Sequence, residues 1–281
     1  MSGWRFVLSA RWAGYLALVL VFATVSCMFG NWQFDRRAEA RAAIDLVEAN
    51  YDREPQAVTE VLPTLDSYRG SQKWTPVLLN GVYLSDDEML VRNRPFRGSP
   101  GFEILTPLLL DDGTVFIVDR GWVPVGSRQD APDEIPPAPQ GEVEVVARLK
   151  AGEPVLEGRG APAGTNQIAT INLGQVSERL EREMYTGAYG IVSSQEPAPA
   201  SVPLTPDKPE ADEGPHLSYA LQWYVFALLA FVGLGWALRQ EYRVVNADDP
   251  EVRRQAEERE RKRAQRKPDD AETEDALLDS V

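Results

Sequence analysis

The only histidine of the chain, His216, is the residue best placed to do chemistry. It begins the apolar run HLSYALQWYVFALLAFVGLGWAL, and Tyr219 and Trp223 follow it at helical spacing, on the same face of the expected helix. Imidazole is the commonest metal ligand in proteins, and flat aromatic side chains suit a porphyrin. Two interpretations stay open here. His216 is either a ligand for haem or another metal, or a polar residue that begins a helix in contact with water.

The composition excludes several other kinds of site. A single histidine rules out a His-His metal pair, and a single cysteine, Cys27, rules out an internal disulfide. The sequence contains no phosphate-binding loop, dinucleotide fingerprint, nucleophile elbow, Cys-x-x-Cys or His-Glu-x-x-His motif, so nothing indicates an enzyme. The formal net charge of −14 disfavours binding to nucleic acid.

Two charged motifs lie in the middle of the chain. The loop RNRPFRG carries three arginines that could contact a carboxylate or a propionate, although a solvated loop is the expected structure. In VDRGWVP, Asp119 and Arg120 are expected to form an ion pair in a turn at the end of a strand, with a ligand site as the less favoured alternative.

Two uncharged apolar runs, one near each end of the chain, predict membrane-spanning helices at residues 12–34 and 216–238. As a helix the second run is roughly 33 Å long, enough to cross a bilayer, and aromatic residues lie at both ends of each run. The first run is followed by WQFDRRAEAR rather than by a small-residue cleavage site, which disfavours a removable signal peptide. Within it Ala23, Cys27 and Gly30 share one face and predict close helix packing.

Basic residues at the two ends predict the orientation in the plasma membrane. Two arginines precede the first run and RERKRAQRK follows the second. The positive-inside tendency therefore places residues 1–11 and the charged tail, residues 239–281, in the cytoplasm. The segment DRRAEAR after the first run weakly favours the opposite orientation. We predict a two-span membrane protein with both termini in the cytoplasm and an extracytoplasmic centre.

The centre of the chain predicts a β-rich α+β domain, built as an antiparallel sheet or a small barrel. Residues 35–70 are expected to extend the first helix and connect it to this domain, which occupies residues 71–192. Residues 193–215, rich in proline and acidic side chains, are expected to form an extended spacer that buries almost nothing. The sequence further predicts hairpin turns at Asn80-Gly81 and Asp111-Asp112-Gly113, strands at EVEVVARLK, NQIATINL and YGIVSS, and a helix at LGQVSERLEREM.

Three short blocks, in chain order, resemble the signatures of the surfeit locus protein 1 family, the assembly factors for haem-copper cytochrome c oxidase. The first block, GNWQFDRR, ends the first apolar run. The second combines GFEILTPLLL with VDRGWVP, and the third is HLSYALQWY. The matching positions are Gly30, Trp32, Gln33 and Arg36 in the first block, Gly101, Thr106, Pro107, Arg120, Gly121 and Trp122 in the second, and His216, Tyr219 and Trp223 in the third.

The resemblance implies a role without catalysis, in which the protein helps to insert haem into the catalytic subunit of the oxidase or to stabilise that subunit. The oxidase subunits and the lipid bilayer are then the expected partners. It also implies that haem a is held transiently, with His216 as the candidate ligand and Tyr219 and Trp223 beside it. Two alternatives stay open: a scaffold for the oxidase that binds no haem, and an extracytoplasmic sensor or binding module that signals through its tail.

Overall fold

Two compact units make up the protein. The computed structural model describes residues 3–128, 130–156, 158, 160 and 164–264. One unit comprises the chain up to Ala38 together with the chain from Gly214 onward, and the other comprises Glu39–Glu213. Long apolar helices characterise the first unit, and β-strands characterise the second.

Among the described residues, two helices are much longer than the others, α1 (Ala10–Asn50) and α4 (His216–Val245). Both are long and apolar enough to cross a membrane, and most of their large apolar side chains are exposed, as in a helix that faces lipid. The predicted fold class, two such helices flanking a β-rich domain, is confirmed. The helix bounds are α1 Ala10–Asn50, α2 Val58–Val61, α3 Leu173–Leu180, α4 His216–Val245 and α5 Pro250–Ala264, with 3-10 turns at Arg5–Leu8, Gly70–Gln72 and Ser85–Asp87.

Small residues line the contact between α1 and α4 in the first unit. Ala23, Ser26 and Ala220 are buried, and the Phe29 ring stacks on Trp223 with centroids 4.9 Å apart. A Cβ atom at Gly30 would lie only 2.8 Å from the Tyr224 ring. Because only glycine leaves room for that ring, the predicted close approach at Gly30 is confirmed.

The strands of the second unit close into a small barrel. Following the hydrogen bonds, β2 pairs with β6, β6 with β8, β8 with β5, β5 with β4, and β4 again with β2; all of these pairs are antiparallel except β5–β8. The three remaining strands are short and extend the sheet. The strand bounds are β1 Gln56–Ala57, β2 Pro76–Tyr83, β3 Met89–Val91, β4 Gly101–Leu110, β5 Val115–Pro124, β6 Glu142–Ala151, β7 Gln167–Ile168 and β8 Ala188–Glu196.

The barrel core follows from alternation along the strands. In β6 every second residue is buried, namely Val143, Val145, Ala147 and Leu149. These side chains pack with apolar residues of β2, β4 and β5. A second cluster lies under α3, whose Leu173 and Val176 are buried against Ile117 of β5. The predicted helix at α3 and the predicted strands at β6 and β8 are confirmed, whereas NQIATINL forms only the two-residue β7.

One predicted hairpin is correct and the other is wrong. The turn at Asp111-Asp112-Gly113 joins the antiparallel strands β4 and β5. At Asn80-Gly81, however, β2 continues without a turn and pairs with β6 and β4 at the same time. A Cβ at Gly81 would lie 2.0 Å from the Leu109 carbonyl oxygen, so this glycine permits the close approach that closes the barrel.

The predicted spacer at residues 193–215 is also wrong in two respects. Its first residues belong to β8, which continues to Glu196. Farther along, Leu204 pairs with Trp122 of β5 through two backbone hydrogen bonds of 2.7 and 3.0 Å, and Pro203 is buried. The composition of this segment suggested full solvation, but a proline-rich chain can still dock on a strand edge.

Candidate functional site

His216 forms a hydrogen bond with Gln33, and this contact brings together the first and third sequence blocks. The His216 Nδ1 and the Gln33 Oε1 are 2.8 Å apart, although the two residues are 183 positions apart in the chain. An amide oxygen can only accept, so Nδ1 carries the proton and donates it. The neutral imidazole therefore keeps its lone pair on Nε2.

The side chains around this pair differ in how freely they could meet a ligand. Tyr219 and Trp32 are about half exposed, at 48% and 49%. Arg36 lies over the Trp32 ring, with its Cζ 5.8 Å from the ring centroid. Trp223, in contrast, is half-buried between the helices against Phe29. Of the three residues predicted on one face of α4, Trp223 thus contributes to helix packing, while His216 and Tyr219 lie nearer the surface.

Gly214, the residue before the N-cap of α4, lies beside the imidazole ring. Gly214 has a φ of +67°, and a Cβ built on it would lie 3.4 Å from the His216 Nε2. Any other residue would strain the backbone and bring its Cβ into van der Waals contact with the nitrogen that carries the lone pair. With glycine, this residue packs beside the ring through backbone atoms alone.

Trp122 and Gly101, from the second block, form a structural contact at one end of the barrel. The Trp122 indole nitrogen donates a hydrogen bond of 2.7 Å to the Arg94 carbonyl oxygen. A Cβ at Gly101 would lie 2.2 Å from the Trp122 ring, so the tryptophan fits only against glycine. This pair fixes the loop between β3 and β4.

Arg120 is buried within β5, which corrects the predicted ion pair with Asp119 in a turn. Its partners are Glu88, 2.6 Å from Nη2, and the hydroxyl of Thr106, 2.8 Å from Nε. The Thr106 hydroxyl itself donates to Glu88 at 3.0 Å, and the carbonyl oxygen of the next residue, Pro107, accepts from Leu84 at 2.8 Å. The Thr-Pro and Arg positions of the motif therefore hold β4, β5 and the β2–β3 connection together.

Gly121 makes the docking of residues 203–208, hereafter the docked segment, possible. Its φ is +125°, and a Cβ there would lie 2.7 Å from the Leu204 carbonyl oxygen and 3.0 Å from the Pro203 Cβ. Farther along the segment, Asp207 pairs with Arg97 at 2.6 Å and Lys208 pairs with Asp52 at 2.6 Å. The segment is thus attached to the barrel at Trp122 and to the residues that follow α1.

Asp119 is a buried carboxyl beside a charged cluster. Burial, followed by the charge of Glu103, raises the pKa of Asp119 to about 7 despite a 3.0 Å hydrogen bond from the Gly121 N–H. Arg94 bridges Glu103 at 3.0 Å and Glu153 at 2.5 Å. Burial acts to raise the pKa of Glu153, but the hydrogen bonds from Arg94 and from the Ile171 N–H, together with the charges of Arg94 and Lys150, outweigh it and lower that pKa.

A cavity of about 370 Å³ adjoins this cluster, lined by Arg92, Arg94, Glu153 and Thr170 among others. The arginine loop that could have met a carboxylate ligand instead uses Arg94 and Arg97 for ion pairs within the protein. Sequence patterns did not identify Glu88, Glu103 or Glu153 as partners. The available signal was the apolar run VFIV directly before Asp119 and Arg120. Such a run predicts a strand buried on both faces, and charges within a buried strand must be paired.

In the part of the chain that the structure describes, no group of three or more His, Cys, Asp and Glu side chains could hold a metal ion. The pair His216 and Gln33 is therefore the candidate site. Of the ten motif positions outside α4, some lie near this pair in α1 and the others lie in the barrel. Gln33 contacts the imidazole directly, whereas Arg120, Gly121 and Trp122 stabilise the barrel and its docked segment.

The chain is similar to a known family over most of its length. The model described as the SURF1 family matches residues 20–228, which include all three sequence blocks. A SURF1-like protein of Mycobacterium tuberculosis is 33% identical over 245 residues, covering 85% of this chain and 87% of the relative. The cytochrome oxidase assembly protein SHY1 of Saccharomyces cerevisiae is 28% identical over 123 residues, covering 42% of this chain and 30% of the relative.

Proposed function

The chain belongs to the SURF1, or surfeit locus protein 1, family, and we propose that it helps to assemble haem-copper cytochrome c oxidase without catalysing a reaction itself. Its similarity to SHY1, a relative named for oxidase assembly, supports this role. The partner in this proposal is the oxidase, with its haem-bearing catalytic subunit as the contacted chain.

The proposed location is the plasma membrane, with both termini in the cytoplasm and the barrel outside. Two helices long enough to span a bilayer and the arginine-rich ends of the chain support this orientation. A reporter that is active only outside the cytoplasm should be active when fused after about residue 130 and silent when fused after Arg243. The reverse pattern would contradict the orientation.

The finer proposal is that His216 holds haem transiently through its Nε2. The observation that carries it is the hydrogen bond from Nδ1 to Gln33, which leaves an unprotonated nitrogen on the opposite side of the ring. The donor set fits a haem iron, because imidazole is an accepted axial ligand and His216 is only half-buried. Trp32 and Tyr219 would add flat apolar surface, and the haem held there would be passed on to the oxidase.

A scaffold that binds no haem is the second candidate. It is favoured by the finding that Arg120, Gly121 and Trp122 are buried or engaged within the barrel, so these motif positions serve the fold rather than a ligand. In that case the bond between His216 and Gln33 would serve only to join α1 and α4.

Oxidase haem content in cells separates these candidates. Deleting the gene should lower the oxidase haem content, and the wild-type chain should restore it. His216→Ala should fail to restore it although the protein accumulates normally. The matched control is Tyr224→Phe, which removes another hydrogen bond between α1 and α4, 2.6 Å from the Tyr224 hydroxyl to Asn31, without touching the imidazole. Equal restoration by both variants would favour the scaffold, and an unchanged oxidase in the deletion strain would contradict the assembly role.

A further inference from the structure

We propose that Gln33 is a positioning residue that fixes the tautomer of His216 and so presents Nε2 as a ligand for iron. This inference rests on the proposed haem role of His216. It goes beyond that role because it gives Gln33, a residue of the other membrane helix, the function of setting the His216 tautomer. The tautomer can be measured in the protein without any ligand.

The first step is the direction of the hydrogen bond. The Gln33 Oε1 lies 2.8 Å from Nδ1, and an amide oxygen offers no proton. A neutral imidazole has one proton to place, and this contact holds it on Nδ1. Metal-binding histidines are commonly held in this way, because a partner at one ring nitrogen sets both the tautomer and the orientation of the other.

The second step is that the contact is built by the helix pair rather than by a flexible loop. Gln33 lies within α1, and His216 is the first residue of α4. Gly30, one turn before Gln33, lets the Tyr224 ring pack closely against α1, a contact that Tyr224→Phe keeps. The distance from Gln33 to His216 is thus set by packing on both sides of the interface.

The third step concerns the opposite side of the ring. Gly214 approaches Nε2 with backbone only, since its missing Cβ would lie 3.4 Å away. Tyr219, one turn into α4, is about half exposed at 48%, and among the described residues no hydrogen bond joins its hydroxyl to the imidazole. His216 is only half-buried, and the lone pair on Nε2 points away from Gln33, as an axial ligand requires.

Nitrogen NMR of the full chain in lipid nanodiscs tests the inference directly. With a single histidine, labelling with ¹⁵N-histidine gives one pair of ring nitrogens. At alkaline pH the wild type should show a protonated Nδ1 and an unprotonated Nε2. Gln33→Met, nearly isosteric but unable to accept in the same way, should lose this preference, and Gln33→Glu should keep it. Tyr224→Phe should resemble the wild type.

Haemin titration of the same samples supplies the second readout. Loss of a partner behind a metal-bound histidine typically weakens binding by about 10–100-fold. We expect this loss of haemin affinity in Gln33→Met, whereas Gln33→Glu should keep the affinity of the wild type. Wild-type ring signals in Gln33→Met, or a protonated Nε2 in the wild type, would overturn the positioning role. A fixed tautomer without haemin binding would uphold the positioning role and contradict the proposed haem function instead.

Discussion

Replacing Gly121 by alanine tests how strongly the docked segment, residues 203–208, stabilises the barrel. The new Cβ would lie 2.7 Å from the Leu204 carbonyl oxygen, at a backbone φ of +125° that side chains rarely adopt. The alanine backbone would be strained at this φ, and its Cβ would also displace the segment. Detachment breaks the two hydrogen bonds between Leu204 and Trp122.

The expected loss is the sum of two contributions. Backbone strain of this kind costs about 1–3 kcal/mol, and each lost backbone hydrogen bond about 1 kcal/mol. A total of about 3–5 kcal/mol corresponds to a fall in Tm of roughly 6–20 °C for a domain of this size. Thermal unfolding of the full chain in detergent measures it, and hydrogen exchange should become faster at the Leu204 and Trp122 amides.

The matched control is Gly98→Ala. Gly98 also has a positive φ, +82°, but no atom lies within 4 Å of its missing Cβ. Gly98→Ala should be destabilised by backbone strain alone and should leave hydrogen exchange at the Leu204 amide unchanged. If Gly121→Ala lowers Tm no more than Gly98→Ala, and exchange at Leu204 stays slow, the docked segment does not stabilise the barrel.

Three further perturbations follow from the structure. Gly30→Leu should lower the amount of protein in the membrane, because its Cβ would meet the Tyr224 ring at 2.8 Å, whereas Gly14→Leu, with open space around it, should not. Arg120→Leu leaves Glu88 half-buried without a cation, with the Thr106 hydroxyl as its remaining donor, and should lower the free energy of unfolding by about 3–5 kcal/mol. The exposed Arg97→Leu should lower it by less than about 1 kcal/mol. Burial raises the pKa of Asp119 to about 7. The unfolded value is near 4, so the contribution of Asp119 to stability is fully present below about pH 4 and is lost as the pH rises to about 7. Asp119→Asn should therefore flatten the change in Tm between about pH 4 and 7, and an unchanged profile would contradict the assignment.

The membrane helices could be predicted from sequence because they depend on local composition. An uncharged run with aromatic ends has few alternatives, and α1 and α4 contain the two predicted spans. The hairpin at Asp111-Gly113 is equally local. At Gly81 the same kind of local signal failed, because a glycine that permits barrel closure looks in the sequence like a glycine that permits a turn.

Contacts between distant residues were beyond the sequence alone. Gln33 and His216 were each identified as motif positions, yet nothing in their local patterns indicated that the two side chains meet. The docked segment shows the same limit. Its proline-rich composition predicted solvation, and only the tertiary structure reveals the edge of β5 at Trp122 that receives Leu204. Arg120 was misassigned because its partner, Glu88, lies on a different element.

Haem absorbance of the purified full chain, after loading with haemin, tests the central claim most directly. The wild type and Tyr224→Phe should show the spectrum of a haem with an axial histidine, and His216→Ala should lose it, although all three proteins unfold at the same Tm. Full haem binding by His216→Ala, with the same spectrum as the wild type, would contradict the claim that this histidine is the ligand.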